Sequence, residues 1–255
     1  MKVAITQPTY LPWLGYFDLV DQVDMFVVLD TVQFEKQSWQ QRNRIKTPTG
    51  LQWLTAPVIF RCRLEQRIQD VEIRDAGFSA KHLRALELNY SRTLHFREHF
   101  ATVRSIFQET HDGTRLIDLN LRVIRWFLDL LDIRTPLILA SSLAQEGKRT
   151  QLLANICRNL GVTQYLSPIG SAEYLLSEMD FFSAVNVEVL FHNYVHPEDK
   201  LFPPFVPYAS TIDLIFNEGY RAMEIIRSGR KESFSAQAVA AQLAAAAPTA
   251  ATKGA

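Results

Sequence analysis

Short apolar runs alternate with amphipathic stretches at both ends of this chain. Lys2 to Thr6 is a β-branched, mostly apolar run stopping at Gln7-Pro8, the pattern of a buried strand entering a loop. Leu11, Leu14, Phe17, Leu19, Val20 and Val23 then recur at near-helical spacing, with Pro12 tolerated in the first turn, so a helix is predicted over 11–23. Met25 to Leu29 reads as a second strand closing at Asp30. The segment from Thr31 to Gly50 is polar and irregular. Leu51 to Ile59 and Val71 to Ile73 look like strands that pair antiparallel. From Ser79, a predicted N-cap, to Asp132 the pattern is helical: Leu116 to Leu131 is strongly apolar, and Gly113 separates it from the preceding helix. Alternation then returns: Leu137–Ala140 strand, Thr150–Leu160 helix ending at Gly161, Gln164–Leu166 strand, Ala172–Phe182 helix, Val187–Phe191 strand.

Strands alternating with helices at both ends predict an α/β fold, a mostly parallel, Rossmann-like sheet covered by helices, with a helical insertion around 79–132. One domain is expected over 1–232. From about Ser233 the chain is alanine-rich, so 233–255 is expected to be a flexible tail.

Composition narrows the function classes. With 255 residues, 47% hydrophobic, the chain can bury a sizeable core. Its 27 basic and 27 acidic side chains cancel, so no global field favours nucleic acid as the main partner or an anionic membrane. Cys62 and Cys157, far apart, offer no disulfide framework and no structural zinc set. The N-terminus lacks the long apolar core of a signal peptide, and no segment is long and apolar enough to span a bilayer; a cytoplasmic protein without membrane insertion is expected.

In an open parallel sheet ligands bind at the carboxyl ends of the strands, which directs attention to the segments that follow them. Gln7 to Phe17 is a loop opening a helix, where free N–H groups can hold an anion and Gly15 permits close approach. Trp13-x-Gly15-Tyr16 resembles the HxGH motif of nucleotidylyltransferases with both histidines replaced. Asp30, Gln33 and the run Arg42-Asn43-Arg44-Ile45-Lys46 follow the second strand; three cations at alternate positions can clamp a diphosphate or a carboxylate, or form a solvated basic strand. Tyr165-Leu166-Ser167-Pro168 is a strand-to-helix turn, in which Ser167 can serve a ligand or the turn itself. His192, His196 and Asp213 stand out near the C-terminus; a loop histidine such as His196 can act as a general base near neutral pH, whereas Asp213 also suits a helix N-terminus. His95-Phe96-Arg97-Glu98-His99 matches the inverted zinc-protease signature HxxEH, yet three fixed positions arise easily by chance in a charged helix, and a solvated helical face is the expectation. No metal site is therefore assigned and no cofactor is identified. GxGxxG, GxxxxGK[ST] and GxSxG are all absent.

The runs Gln7-Pro8-x-Tyr10-Leu11-Pro12-Trp13-Leu14-Gly15-Tyr16-Phe17, Leu29-Asp30-x-Val32-Gln33-Phe34 and Ser38-Trp39-Gln40-x-Arg42-Asn43-Arg44-Ile45-Lys46 closely resemble the opening of the WbqC-like family. Trp53-Leu54-Thr55-x-Pro57-Val58, Tyr165-Leu166-Ser167 and Ser210-x-Ile212-Asp213-Leu214-Ile215-Phe216-Asn217-x-Gly219 extend the resemblance to about Gly229. Thr31, where the family pattern has a second aspartate, weakens a metal site built on paired aspartates; Pro168 replaces a glycine, and Pro197 to Leu201 lacks an expected glutamine. The resemblance implies an accessory enzyme of O-antigen or other surface-polysaccharide biosynthesis, a transferase forming an amide between an activated amino-acid (glycyl) or acyl donor and a nucleotide-linked amino sugar. In that reading His196, Asp213 and Asp30 are catalytic, while Gln7, Tyr10, Gln33, Arg42, Asn43, Arg44, Lys46 and Ser167 bind substrate. A nucleotidylyltransferase-like enzyme and a noncatalytic sugar-nucleotide binding module are the alternatives.

Overall fold

β1 (Lys2–Thr6) lies in the interior of a six-stranded sheet because every one of its residues is apolar or extended-compatible and its middle three are buried. The computed structural model describes residues 1–59, 65–75, 77–198 and 206–246; Cys62 and Asp199–Leu201, named above, lie outside them. Around β1 the chain places α1 (Leu14–Asp21), β2 (Met25–Val28), a hairpin of β3 (Arg42–Thr47) and β4 (Gly50–Thr55), three helices α2 (Gly77–Tyr90), α3 (Phe96–Gln108) and α4 (Leu116–Leu130), then β5 (Leu137–Leu139), α5 (Arg149–Asn159) and β6 (Gln164–Pro168). It closes with α6 (Ala172–Leu176), α7 (Asp180–Ser183), β7 (Glu188–His192), α8 (Thr211–Glu218), α9 (Ala222–Ser228), β8 (Phe234–Ser235) and α10 (Ala236–Ala246).

The strand order is β5-β2-β1-β6-β7-β8, parallel except for β7 with β8. This is the mostly parallel, helix-covered sheet that the alternation predicts. Its order reverses between β1 and β6: β1 is followed by a crossover to β2 on one side, and β6 arrives from β5 on the other. The period-two alternation of the strands divides the core. Val3, Ile5, Val27, Val189 and Phe191 face α5, α6, α7 and α10, whereas Ala4, Phe26, Val28 and Leu166 face α1, α4, α8 and α9 and the helical insertion. Each fully buried Phe or Leu in these layers contributes about 1.5–3 kcal/mol.

Several local expectations change. The polar stretch before Gly50 contains β3, whose alternation buries Asn43 and Ile45 while Arg42 and Arg44 stay half-exposed. Thr47-Pro48-Thr49-Gly50 turns the hairpin, with Gly50 at φ +126°, so β4 pairs with β3 in register Arg44↔Trp53. Val71–Ile73 pairs antiparallel with the chain beyond β4 at the bridge Val58↔Ile73 and with the segment before α4 at the bridge Glu72↔Arg115. Helix α2 starts ahead of Ser79: the Gly77 N–H donates to Asp75 Oδ1 at 2.7 Å, and the Ser79 hydroxyl is buried within the helix. The predicted helix 172–182 breaks into α6 and α7. Past position 232 the chain adds the antiparallel edge strand β8 and packs α10 through Val239, 2% exposed, so that Phe234 to Ala246 differ from the expected flexible tail. A few apolar positions among alanines suffice to dock a helix, a signal too sparse for a periodicity reading.

The insertion is locked to the first loop by Tyr10, whose buried hydroxyl lies 2.9 Å from His82 Nδ1. Burial raises the Tyr10 phenol well above its ordinary value, so Tyr10 donates and the imidazole accepts. Burial among Phe78 and Phe107 pushes His82 down to about 4. Between its unfolded value near 6.5 and about 4, the unfolded chain binds the proton and the folded chain does not. Stability is therefore full above pH 6.5 and falls by about 3 kcal/mol as the pH drops to 4. Urea unfolding of the His82→Gln variant should lose this part of the acid slope; an unchanged slope would remove His82 from the account.

Candidate functional site

The reversal of strand order opens a cleft of about 500 Å³ at the carboxyl ends of β1 and β6. Gln7 and Pro8 leave β1 on one side, Pro168, Gly170 and Ser171 leave β6 on the other, and His192 closes the end of β7. Trp13, Gly15 and Tyr16 from the start of α1, Trp39 from the loop before β3, and Tyr174 from α6 complete the wall.

The loop between β1 and α1 is held by its neighbours rather than by its own preference. Leu11, fully buried, sits at φ +45°, a conformation that costs a non-glycine residue about 1–3 kcal/mol. The surrounding elements hold it through three hydrogen bonds: Tyr10 N–H to Trp39 O at 2.8 Å, Asn43 Nδ2 to Leu11 O at 2.6 Å, and Thr211 N–H to Pro12 O at 2.8 Å. This fixes Trp13, whose indole lies over Gly15: a Cβ there would stand 2.2 Å from the ring. Gly15 thus accommodates the protein's own tryptophan. Among the described residues no side chain caps α1, and the positive end of its dipole lies at the cleft wall, where Trp13, Gly15 and Tyr16 stand. The Tyr16 hydroxyl is buried there beside the Thr6 hydroxyl; burial, opposed by that neighbour, raises its pKa and keeps the phenol protonated.

Among the described residues, His192 is the one imidazole on the cleft wall. Its Nε2 lies 2.7 Å from Oδ2 of Asp18, a fully buried carboxylate on α1. Asp18 also accepts from Gln22 Nε2 at 2.6 Å and from Arg230 Nε at 2.8 Å. Arg230 bridges to Asp21, which Arg227 grips with two bonds of 2.9 and 2.8 Å. Burial pushes the Asp21 carboxyl up, but the two guanidiniums outweigh it and hold it below its ordinary value. With Asp18 accepting at Nε2, the neutral ring has its proton on that nitrogen and its lone pair on Nδ1.

A second feature lies at the cleft rim. Trp39, which lines the cleft, packs against Trp53 with ring centroids 5.6 Å apart. Arg42 lies 4.3 Å over the Trp53 ring, and Arg44 contacts Trp39 and Trp53 at 5.5 and 5.4 Å. The hairpin therefore presents two guanidiniums interleaved with two half-exposed indoles.

Of the residues expected to act, Gln7 lines the cleft, and Gln40 Nε2 donates to its Oε1 at 2.8 Å. Arg42 and Arg44 reach the rim. The others lie elsewhere. Asp30 accepts from Ser141 N–H at 2.9 Å and Ser141 Oγ at 2.5 Å, tying the end of β2 to the turn after β5. Tyr10 and Asn43 are buried in the clamps described above, and Ser167 lies beneath the floor, within 2.5 Å of Ser171 Oγ. Lys46 and Asp213 are buried, the latter in the first turn of α8; Gln33 bridges to Arg67. His196 stacks on Trp13 at 6.3 Å and 17°, behind the cleft wall. The sequence reading singles out the Trp13-x-Gly15-Tyr16 loop but neither Asp18 nor Arg230. An aspartate between Phe17 and Leu19, four residues after Leu14 on the apolar side of a short helix, is the signal that marks such a buried charge.

Fold and cleft together define an α/β protein with an open cleft at the switch point of a Rossmann-like sheet. The chain belongs to the WbqC-like protein family, whose model matches residues 7–225. It is 36% identical over 232 residues to a Mycobacterium tuberculosis (strain ATCC 25618 / H37Rv) protein named "Uncharacterized protein Rv1507c", covering 90% of this chain and 99% of that one. No solved structure matches it. Among the described residues, no helix is long and apolar enough to cross a membrane.

The Asp30–Ser141 pair yields a direct check. Ser141→Ala removes one of two hydrogen bonds to a buried carboxylate and should lower the urea unfolding free energy by about 1.5–3 kcal/mol with an unchanged m value. A shift under about 0.5 kcal/mol would show that Asp30 does not depend on this anchor.

Proposed function

We propose that this protein is a cytoplasmic group transferase that forms an amide on a nucleotide-linked amino sugar, with His192 as general base. The observation that carries this reading is the Asp18–His192 pair on the wall of the switch-point cleft. Asp18 holds the imidazole in the tautomer that offers Nδ1 as a base, the arrangement by which a carboxylate orients a catalytic histidine elsewhere. The amine nitrogen attacks the carbonyl carbon of an activated amino-acid or acyl donor; the C–N bond forms, the donor's leaving group departs with its bonding electrons, and the amine proton passes to Nδ1. Tyr16 and the uncapped start of α1 supply donors for the oxyanion that develops. Glu35, an exposed carboxylate of the cleft wall, suits an amino sugar's ammonium group before it loses its proton. Arg42 and Arg44 fit the diphosphate, and Trp39 and Trp53 offer faces for the nucleobase. His192 serves this role better than His196, which lies behind Trp13. The family resemblance supports sugar-modification metabolism of the surface-polysaccharide type.

A thermal-shift screen with nucleotide-linked amino sugars tests the binding half, since a ligand of the native state raises its melting temperature. Stabilisation by these compounds is expected, reduced in Arg44→Ala. Stabilisation by nucleoside triphosphates alone, with pyrophosphate release, would replace amide transfer with nucleotidyl transfer. With a turned-over pair in hand, His192→Gln should cut kcat by about a hundred- to ten-thousand-fold while leaving sugar-nucleotide binding intact; full turnover in that variant would sink the assignment of the base.

A further inference from the structure

The helical insertion carries a second cluster of chemically competent groups, none of which lines the cleft. His95 stands at the N-cap of α3, with Glu98 and His99 in its first turn, and one ligand atom from each lies within 4.8 Å of the other two. His95 Nδ1 is 3.3 Å from Glu98 Oε2, and His99 Nε2 is 3.8 Å from the same oxygen. Ligands of a tetrahedral zinc ion, at about 2.0–2.1 Å from the metal, stand about 3.4 Å apart. The three groups are thus nearly at coordinating separation.

Two further observations point to a bound cation. His99 is 7% exposed, and its Nε2 is buried with no hydrogen-bond partner among the described residues while facing the Glu98 carboxylate at 3.8 Å, an arrangement that leaves a polar atom desolvated for no structural return. His95 is also positioned from outside its helix: its backbone N–H donates to Phe216 O at 3.0 Å, and its imidazole lies so close to Gly219 that a Cβ there would meet Nδ1 at 2.6 Å. Gly219, at φ +53°, is both the turn after α8 and the space this histidine occupies. Glu98 in turn accepts a hydrogen bond from the Tyr220 hydroxyl through Oε1, which leaves Oε2 toward the two imidazoles.

We propose that His95, Glu98 and His99 bind a divalent ion of the zinc class, with Tyr220 as the outer residue that orients the carboxylate. Two imidazoles and one carboxylate form a borderline-soft N/O set that suits zinc over magnesium or calcium. Three protein ligands leave a fourth position for water or another ligand. The ion would fasten the start of α3 to the turn between α8 and α9, since Tyr220 belongs to that turn and His95 packs on it.

The test uses the untagged full chain, stripped with chelator and titrated with Zn²⁺ by calorimetry. One equivalent is expected at micromolar or tighter affinity, raising the melting temperature. His95→Gln should weaken it by tenfold or more, Tyr220→Phe by about tenfold, and His111→Gln, at an exposed histidine outside the cluster, not at all. Cobalt in place of zinc should give the strong visible bands of four- or five-coordinate N/O ligation. Because His99 is buried, His95→Gln, with folding verified by circular dichroism, carries the result if His99→Gln does not fold. The absence of saturable binding at micromolar zinc, or an equivalent that survives His95→Gln and Tyr220→Phe unchanged, overturns the proposal. Nucleotide-sugar binding in the cleft is a separate readout, so either reading can fail alone.

Discussion

A carboxylate with no access to water governs the arrangement of this molecule. Asp18 sits on the inner side of α1, where an isolated charge would cost several kcal/mol, and its surroundings answer with a histidine from β7, a glutamine one turn along α1 and an arginine from the segment after α9. Each partner comes from a different part of the chain. Removing one leaves the charge uncompensated, at a cost of about 3–5 kcal/mol for a buried pair. The same bond that satisfies Asp18 also sets which nitrogen of the neutral His192 ring carries the proton, so one contact balances a buried charge and orients an imidazole of the cleft wall. Arg230, by also engaging Asp21, keeps this group balanced: two carboxylates against two guanidiniums.

Around that centre the first loop is the most constrained piece of backbone. Leu11 is held in a left-handed conformation by groups from the β3–β4 hairpin and α8, and Trp13 is laid over Gly15 as a result. The hairpin therefore has two faces with different duties. Asn43 and Ile45 anchor the loop and core, while Arg42 and Arg44 face the indoles at the cleft rim.

Much of the fold was legible in the sequence because the strands β1, β2 and β7 are short apolar runs and α4 and α5 have clear helical spacing. The β3 strand was hidden by its charges, since period-two alternation with polar residues on both faces looks like a loop until Asn43 is known to be buried. The last strand was hidden by its length of two residues and the last helix by alanine, which carries little periodic information. The site was legible in location, because strand ends mark it, but less so in detail. Conspicuous polar residues such as Asp30, Asn43 and Asp213 are buried and serve backbone or helix ends, while the unremarked Asp18 reaches the histidine. Sequence order cannot reveal which of several polar residues share a space when their partners lie 174 positions apart, as Asp18 and His192 do.

That separation bears on how the protein is made. A strand formed by the first residues waits in the interior of the sheet for β6 at position 164, and Asp18 waits for an arginine at position 230. During synthesis the N-terminal third emerges with a charge it cannot neutralise and a sheet edge it cannot pair, so the non-local closure comes last and slowly. A ribosome-bound chain short of Arg230 holds Asp18 apart from its final partners, and the network behind the cleft wall becomes whole only when that arginine has emerged.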